Sequence, residues 1–420
     1  MLKVLITNLS EYNNGNLVGE WISLPTDSSF LNQQIRKVLS SDDSEEIFIT
    51  DWEWEDKIIF EDKENPLRNH YASITEDGRF LSVQGSEGTS GNSLHIKDLS
   101  KTDSEFVTFV ADFDNNSYLM DNNNETLLIF TDYNAPNKRV VQTTMDKPGK
   151  ENWTDFIATK DYVLEFVSVV GDKMFASYLK DVQSKIEIYQ TDGTYIKDLE
   201  LPGIGISSGV YGNKGENVGH YSFTSFTTPY STYKLNIDDL TSELYFKPTI
   251  NFNSDDYITE QVRFKSKDGE EIPMFITYKK GIQKDGSNPT FLYGYGGFRI
   301  SIKPSFSVTN AVFMQNGGIL AVATLRGGDE YGEQWHKAGM LNNKQNVFND
   351  FIAAGNYLKD NKYTSTEKLA IHGRSNGGLL VGATMTQKPN FAAVALPGVG
   401  VLDMLRYHKF TIGWAWATEY

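Results

Sequence analysis

Leu369-Ala370-Ile371-His372-Gly373-Arg374-Ser375-Asn376-Gly377-Gly378-Leu379-Leu380 places a short apolar run, a G-x-S-x-G pentapeptide and the start of an apolar helix within 12 consecutive residues. A strand, a sharp turn and a helix in that order form the context in which the pentapeptide means a nucleophile elbow. The turn is so tight that small residues must flank the serine. It lifts the hydroxyl above the strand end, while the helix N-terminus behind it stabilises negative charge. Ser375 is therefore the candidate nucleophile, and the backbone N–H of Asn376 a candidate oxyanion donor. Without such flanks the same pentapeptide is often only a glycine-rich loop.

Working outward, strands alternate with helices from about residue 255 onward. Thr290 to Tyr293, Gly318 to Ala323, Leu369 to His372 and Ala392 to Leu396 are apolar enough to be buried on both faces, as strands of a parallel sheet are. Val347, Phe351, Ala354 and Leu358 fall at i, i+4, i+7 and i+11, which puts one apolar stripe of a helix against that sheet. Tyr257 to Tyr278, with a turn at Asp268-Gly269, reads as an antiparallel hairpin opening this part of the chain. A glycine loop, Tyr293-Gly294-Tyr295-Gly296-Gly297-Phe298, follows the first strand, at the edge where α/β sheets place ligands. It is either a flexible turn or the source of a second oxyanion donor, a role the Tyr295 hydroxyl suits. It lacks the G-x-G-x-x-G spacing and following acidic residue of a dinucleotide site, so no cofactor is expected, and no metal cluster is visible. By composition alone the aromatics of Trp414 to Tyr420 read as core.

Residues 1 to about 250 are different, with short runs of Thr, Ser, Tyr, Phe, Val and Ile punctuated by turn pairs such as Asp77-Gly78, Gly171-Asp172 and Asp192-Gly193. A short alternating strand ending in an acidic turn recurs, closing at Asp98, Asp146, Asp192 and Asp238, with spacings of 48, 46 and 46 residues. A period of that length with about four strands per unit is what a β-propeller blade requires, and about five blades are expected. A large β-sandwich with accidental spacing is the plainer reading.

Composition narrows the function classes. With 39 Lys and Arg against 55 Asp and Glu, the net charge is −16, which repels nucleic-acid phosphates and anionic lipid. Cysteine is absent, which removes disulfides, thiolate metal sites and a cysteine nucleophile. The apolar run Phe391 to Leu402 has 12 residues and contains Pro397, too short to span a membrane. Residues 1 to 16 lack a continuous apolar core, so no signal peptide is read there and a cytoplasmic location is expected, or a periplasmic one if a leader precedes this chain.

Gly294-Tyr295-Gly296-Gly297-Phe298, Leu325-Arg326-Gly327-Gly328 with Glu330-Tyr331-Gly332 and Trp335-His336-Lys337, Gly373 to Leu380, and Asp403-Met404-Leu405 through Thr411-Ile412-Gly413 to Tyr420 together resemble the prolyl oligopeptidase family of serine peptidases. The resemblance is close from about 255 to 420 and looser from about 57 to 250, where Asn65-Pro66, His70 and Asp77-Gly78-Arg79 resemble a propeller segment. Residues 1 to 55 resemble it poorly. The fold it implies is a partial β-propeller over 1–250 followed by part of an α/β-hydrolase domain over 251–420. It further implies Ser375 as nucleophile, Tyr295 and the Asn376 backbone as oxyanion donors, and Phe298, Val401, Trp416 and Tyr420 as an S1 pocket in which Trp416 stacks on a proline ring. The implied partners are short proline-containing peptides, admitted by the propeller acting as a cap. Asp329, after Gly327-Gly328, stands where the family pattern leads one to expect glycine.

In α/β-hydrolases the triad runs Ser, Asp or Glu, then His, and only 45 residues follow Ser375 here. Asp403, Glu419 and His408 are the candidates within them. Asp403 and His408, five residues apart, lie in a segment that resembles a non-triad part of the family. His336, His372, His70, His95 and His220 read as structural. The expectation is an incomplete copy of a prolyl oligopeptidase, cut at both ends and inactive as written. Two alternatives stand beside cleavage after proline: an oligopeptidase or acylaminoacyl-peptidase of other specificity, disfavoured because a cation-selective S1 site needs buried carboxylates, and a non-catalytic peptide-binding scaffold. The sequence does not give an oligomeric state.

Overall fold

In this computed structural model the described residues are 2–8, 18–24, 26, 28–39, 47–54, 60–65, 68–88 and 90–420. They fall into two compact units, Met1–Pro66 and Leu67–Tyr420. In the first, strand Leu2–Asn8 lies between Gly19–Leu24 and Ile47–Trp54 in an antiparallel sheet, with helix Ser28–Leu39 beside it in the chain. Val4, Ile6, Ile22 and Val38 form its core. This stretch is thus a three-stranded sheet with a helix, and not a four-stranded blade.

The second unit opens with four four-stranded antiparallel meanders, whose strands run from Asn69–Ile74 to Ser242–Phe246. About five were expected; at 46 to 48 residues per unit, the span from 69 to 246 holds four. The repeated aspartates close the third strand of each sheet: Ser93–Asp98, Arg139–Thr143, Gln183–Gln190 and Ser231–Asn236 end at or just before them. For two of the four the cause is local. Asp98 Oδ1 accepts from Ser100 N at 3.0 Å and Asp192 Oδ1 from Thr194 N at 2.9 Å, the side chain closing the turn that the next strand needs.

The apolar pattern shows why such sheets stack. In Thr126–Thr131, Leu127 and Ile129 join a core with Phe80, Leu94 and Ile96 of the preceding sheet, while Leu128 joins Leu164 and Met174 of the following one. In Lys173–Lys180, Met174 and Ala176 face back and Phe175 faces forward toward Tyr221 and Leu235. A strand of period 2 that is apolar on both faces is buried only between two neighbours, which is the propeller arrangement.

The chain then builds a six-stranded sheet in the order Tyr257–Lys265, Glu271–Lys279, Ile319–Ala323, Thr290–Tyr293, Leu369–Arg374, Val394–Gly398. The first two form the expected hairpin, with Gly269 at φ +91°, and the last four are parallel. Helix Lys344–Asp360 buries Val347, Phe351, Ala354 and Leu358 against the sheet, as the stripe foretold. One strand departs from expectation. Val394 and Leu396 are 46% and 44% exposed, because Val394–Gly398 is the edge strand with Leu369–Arg374 as its sheet neighbour among the described residues.

Beyond Ile319–Ala323 the chain turns at Arg326, whose buried guanidinium binds Asp350 of helix Lys344–Asp360 in a fork, Nε to Oδ2 at 2.9 Å and Nη2 to Oδ1 at 2.6 Å. Ser266 Oγ also donates to Asp350, and Asp268 from the hairpin turn reaches Arg326 from the solvent side. Removing one partner of a buried pair leaves the other charged and unpaired. Asp350→Ala should therefore lose about 3–5 kcal/mol in a urea titration. Asp268→Ala, at a carboxylate 46% exposed, should lose at most about 1 kcal/mol. Equal losses would show that burial of the pair is not what holds this corner.

Candidate active site

Strand Leu369–Arg374 ends and helix Asn376–Gln387 begins with one residue between them, Ser375, held at φ 55°, ψ −120°. For a residue with a Cβ this is a strained conformation, costing about 1–3 kcal/mol, and it persists only where the surroundings over-determine it. They do so here by contact. A Cβ on Gly373 would lie 2.2 Å from Gly377 O, one on Gly377 2.8 Å from Gly294 O, and one on Gly378 2.5 Å from Gly400 Cα. The Ser375 N–H donates to Gly398 O at 2.9 Å, tying the turn to the edge strand, and the serine itself is exposed. As the first helical residue, Asn376 has a backbone N–H with no intrahelical acceptor.

The glycine loop is folded onto this helix start. Asn376 is buried, and its Nδ2 donates to Tyr295 O at 2.7 Å while packing where a Cβ on Gly297 would be. The Tyr295 phenol has the Ser375 side chain as a hydrogen-bonding neighbour; burial pushes its pKa up, with that hydrogen bond acting the other way, so at neutral pH it remains a donor. Tyr420 donates from its hydroxyl to Asn376 Oδ1 at 3.2 Å, and its ring meets that of Phe298 edge-on at 5.6 Å and that of Tyr407 at 5.3 Å. Ser375, Tyr295, Asn376, Phe298 and Tyr420 are thus brought into one connected group. Val401 and Trp416 are half-buried; Tyr420 N donates to Trp416 O at 3.2 Å. No hydrogen bond or ring contact joins Val401 or the Trp416 indole to the group among the described residues.

The remaining titratable candidates are occupied elsewhere. Glu419 and His336 are both fully buried and bonded to each other, Oε2 to Nε2 at 2.9 Å. Burial opposes the imidazolium, yet the Glu333 and Glu419 carboxylates outweigh it and hold its pKa above the usual histidine value. His372 Nδ1 meets Leu396 O at 2.8 Å, His95 Nδ1 meets Thr108 Oγ1 at 3.0 Å, and the rings of His220 and His408 contact Tyr245 and Tyr407. Asp403 is an exposed partner of Arg406, which keeps its carboxyl below the usual range. A cavity of about 720 Å³ lies against Phe226, Tyr230, Phe291, Tyr293, Phe313 and His372, and its wall includes neither Ser375 nor Tyr295.

Sequence reasoning did not single out Lys344, Tyr407 or Arg299. Lys344 sits under the loop, its Nζ 3.1 Å from Gly296 O and 5.1 Å from the centre of the Tyr420 ring, and burial pulls its pKa down to about 8. Arg299 lies among Glu333 at 2.8 Å, Asp329 at 3.2 Å and Asp132 of the second meander at 3.5 Å, with Lys138 on Asp329 at 2.6 Å. The unexpected Asp329 is therefore an anchor between the β meanders and the sheet. The one signal available was Arg299 directly following Phe298, a lone cation beside an acidic loop.

Two family models match: the prolyl oligopeptidase N-terminal β-propeller domain over residues 50–248 and the prolyl oligopeptidase family over 304–420. The chain is 50% identical over 366 residues to a prolyl endopeptidase of Elizabethkingia meningoseptica, covering 87% of this chain and 52% of that protein. It is 37% identical to one of Dictyostelium discoideum, again over 87% of this chain and 51% of the relative. A solved structure from a structural and mechanistic study of two prolyl endopeptidases superposes with a TM-score of 0.82 at 35% identity, over 96% of this chain and 56% of that one. Prolyl oligopeptidase B from Galerina marginata, bound to a 35mer hydrolysis and macrocyclization substrate, gives 0.83 at 30% identity over 96% and 55%. The chain spans about half the length of the relatives it matches.

In the loop that carries Asp329, Glu330 is fully buried. Its Oε1 accepts from Ile302 N at 2.7 Å, Oε2 has no hydrogen-bond partner, and burial pushes its pKa from 4.5 up to about 8. A carboxyl whose folded pKa exceeds its unfolded one favours the folded state less as pH rises between the two values. Glu330→Gln should match the parent in thermal midpoint near pH 4 and exceed it increasingly up to pH 8, with no further gain above. A difference independent of pH would show that Glu330 is ionised in the fold.

Proposed function

Because the chain belongs to the prolyl oligopeptidase family, we propose that it carries the nucleophile, the oxyanion donors and the proline-binding wall of a serine peptidase that cleaves short peptides on the carboxyl side of proline. The observation that supports this most is Ser375 at φ 55°, with the Tyr295 phenol beside its side chain and the Asn376 N–H free at the helix start. In the proposed reaction Ser375 Oγ attacks the prolyl carbonyl carbon. The carbonyl oxygen, gaining charge, accepts from Asn376 N and Tyr295 Oη; the C–N bond breaks and the amine leaves with the proton that Ser375 Oγ gives up, and water then hydrolyses the ester, releasing the acid and restoring the serine hydroxyl. Two preorganised donors act where charge develops, so they lower the barrier more than they tighten substrate binding.

Phe298 and Tyr420, edge-on to each other, offer an apolar aromatic wall, with Trp416 in the turn that ends at Tyr420; the half-buried Val401 would complete it. The proline ring would lie on Trp416. The nearest buried carboxylate, that of Glu419, has His336 and Phe298 N as partners, so the wall offers no free acid to a basic side chain.

A serine hydroxyl needs a base. We propose that none of the six histidines of the chain serves Ser375, so that the 420 residues bind prolyl peptides but acylate slowly. The non-catalytic alternative differs only in assigning no acyl step at all. Ser375 should react with a fluorophosphonate slowly, and Ser375→Ala not at all; rapid stoichiometric labelling of the parent chain contradicts the missing base. The specificity reading is tested by equilibrium binding of two peptides that differ only in proline or alanine at the residue before the scissile bond. Trp416→Ala should cost the prolyl peptide about 3 kcal/mol, the scale of a lost buried aromatic contact, and the alanyl peptide much less. An unchanged ratio of affinities would place Trp416 in the core.

A further inference from the structure

Glu419 is the one carboxylate in the aromatic segment that ends at Tyr420, and it is fully buried. A carboxylate out of water costs several kcal/mol unless both oxygens are satisfied. Oε2 is held by His336 Nε2 at 2.9 Å, and Oε1 accepts the backbone N–H of Phe298 at 2.6 Å, from 121 residues away in the chain. The Glu419 carbonyl also accepts from Leu341 N at 2.9 Å. Three segments, 296–300, 336–341 and 416–420, therefore converge on one residue.

Phe298 needs such a hold. It and Arg299 both stand at positive φ, 58° and 57°, unusual for residues that are not glycine. Such backbone persists where it is over-determined. The carboxylate of Glu419 grips the Phe298 amide, while the ring of the next residue, Tyr420, meets the Phe298 ring at 5.6 Å. Two consecutive residues thus fix backbone and side chain of the same phenylalanine. Tyr420 in turn reaches Asn376, which holds Tyr295 by its carbonyl.

We infer that Glu419, oriented by His336, is the positioning residue that sets Phe298 and Tyr420 at the spacing that selects proline. It touches neither the substrate nor Ser375 and acts through the two rings. The inference rests on the proposed role of those rings as the proline-binding wall.

The test combines two readouts on the 420-residue chain: amide hydrogen exchange at Phe298, and the ratio of affinities for the prolyl and alanyl peptide pair. Glu419→Ala should speed Phe298 exchange at least about 10-fold and lower the ratio about 10-fold. Glu419→Gln keeps an acceptor for the amide and should hold both within about 3-fold of the parent. Should Glu419→Ala not fold, His336→Gln, which removes the imidazole that faces Glu419 Oε2 and Glu333, should move both readouts in the same direction by about 3-fold. Unchanged exchange and an unchanged ratio in the folded variants overturn the inference. So does a Glu419→Gln chain as impaired as the alanine variant, because charge rather than the bond to Phe298 would then matter. Faster exchange with an unchanged ratio overturns the link to specificity. A parent chain that does not distinguish the two peptides overturns the proline-wall reading itself, and with it this inference.

Discussion

A Cβ on Gly373 would stand 2.2 Å from the Gly377 carbonyl oxygen, and the position of Ser375 depends on that contact being free. Only with glycine at both places can the strand turn into the helix within one residue. Only then is Ser375 held at a backbone angle that lifts its hydroxyl toward Tyr295. The strain of about 1–3 kcal/mol is sustained by the parallel sheet on one side and the buried helix on the other. The edge strand contributes directly, since Gly398 O takes the Ser375 N–H.

Around the elbow, specificity of place comes from buried polar groups rather than from apolar volume. Arg326 with Asp350, Glu419 with His336, and Arg299 with its three carboxylates each join segments far apart in sequence. Buried ion pairs contribute little net stability, because desolvation offsets most of the attraction. Their effect is geometric: an unpaired member is so unfavourable that alternative loop arrangements are suppressed. The loops 294–300 and 326–333 and the segment 413–420 carry few buried aliphatic residues, and these pairs give them one arrangement.

What was legible in the sequence was local. The elbow is spelled out by glycines two residues either side of Ser375, the helix stripe by Val347 to Leu358, and the blade period by aspartates at or just beyond the end of the third strand of each sheet, two of which, Asp98 and Asp192, close the turn with the side chain. Each is a short-range pattern with a short-range cause. The Glu419–His336 bond was not legible, since partners 83 residues apart leave no periodic trace. Glu419 could be noticed only as a lone acid among aromatics, one of three acid or base candidates after Ser375. The apolar run Ala392 to Leu396 suggests a strand buried on both faces, but burial belongs to a strand's place in the sheet, and Val394–Gly398 lies at the edge. Residues 2–54 carried no repeat, and their three-stranded sheet follows from pairing rather than from any motif.

The geometry around Ser375 is tested most directly by a crystal structure of this chain with an N-protected prolyl boronic acid, whose boron adds to a serine oxygen and mimics the tetrahedral intermediate. The expected result is boron bonded to Ser375 Oγ, one boronate oxygen within hydrogen-bond distance of both Asn376 N and Tyr295 Oη, and the pyrrolidine ring between Trp416 and the Phe298–Tyr420 pair. A boronate oxygen that reaches neither donor, or a proline ring seated away from those aromatics, would contradict it.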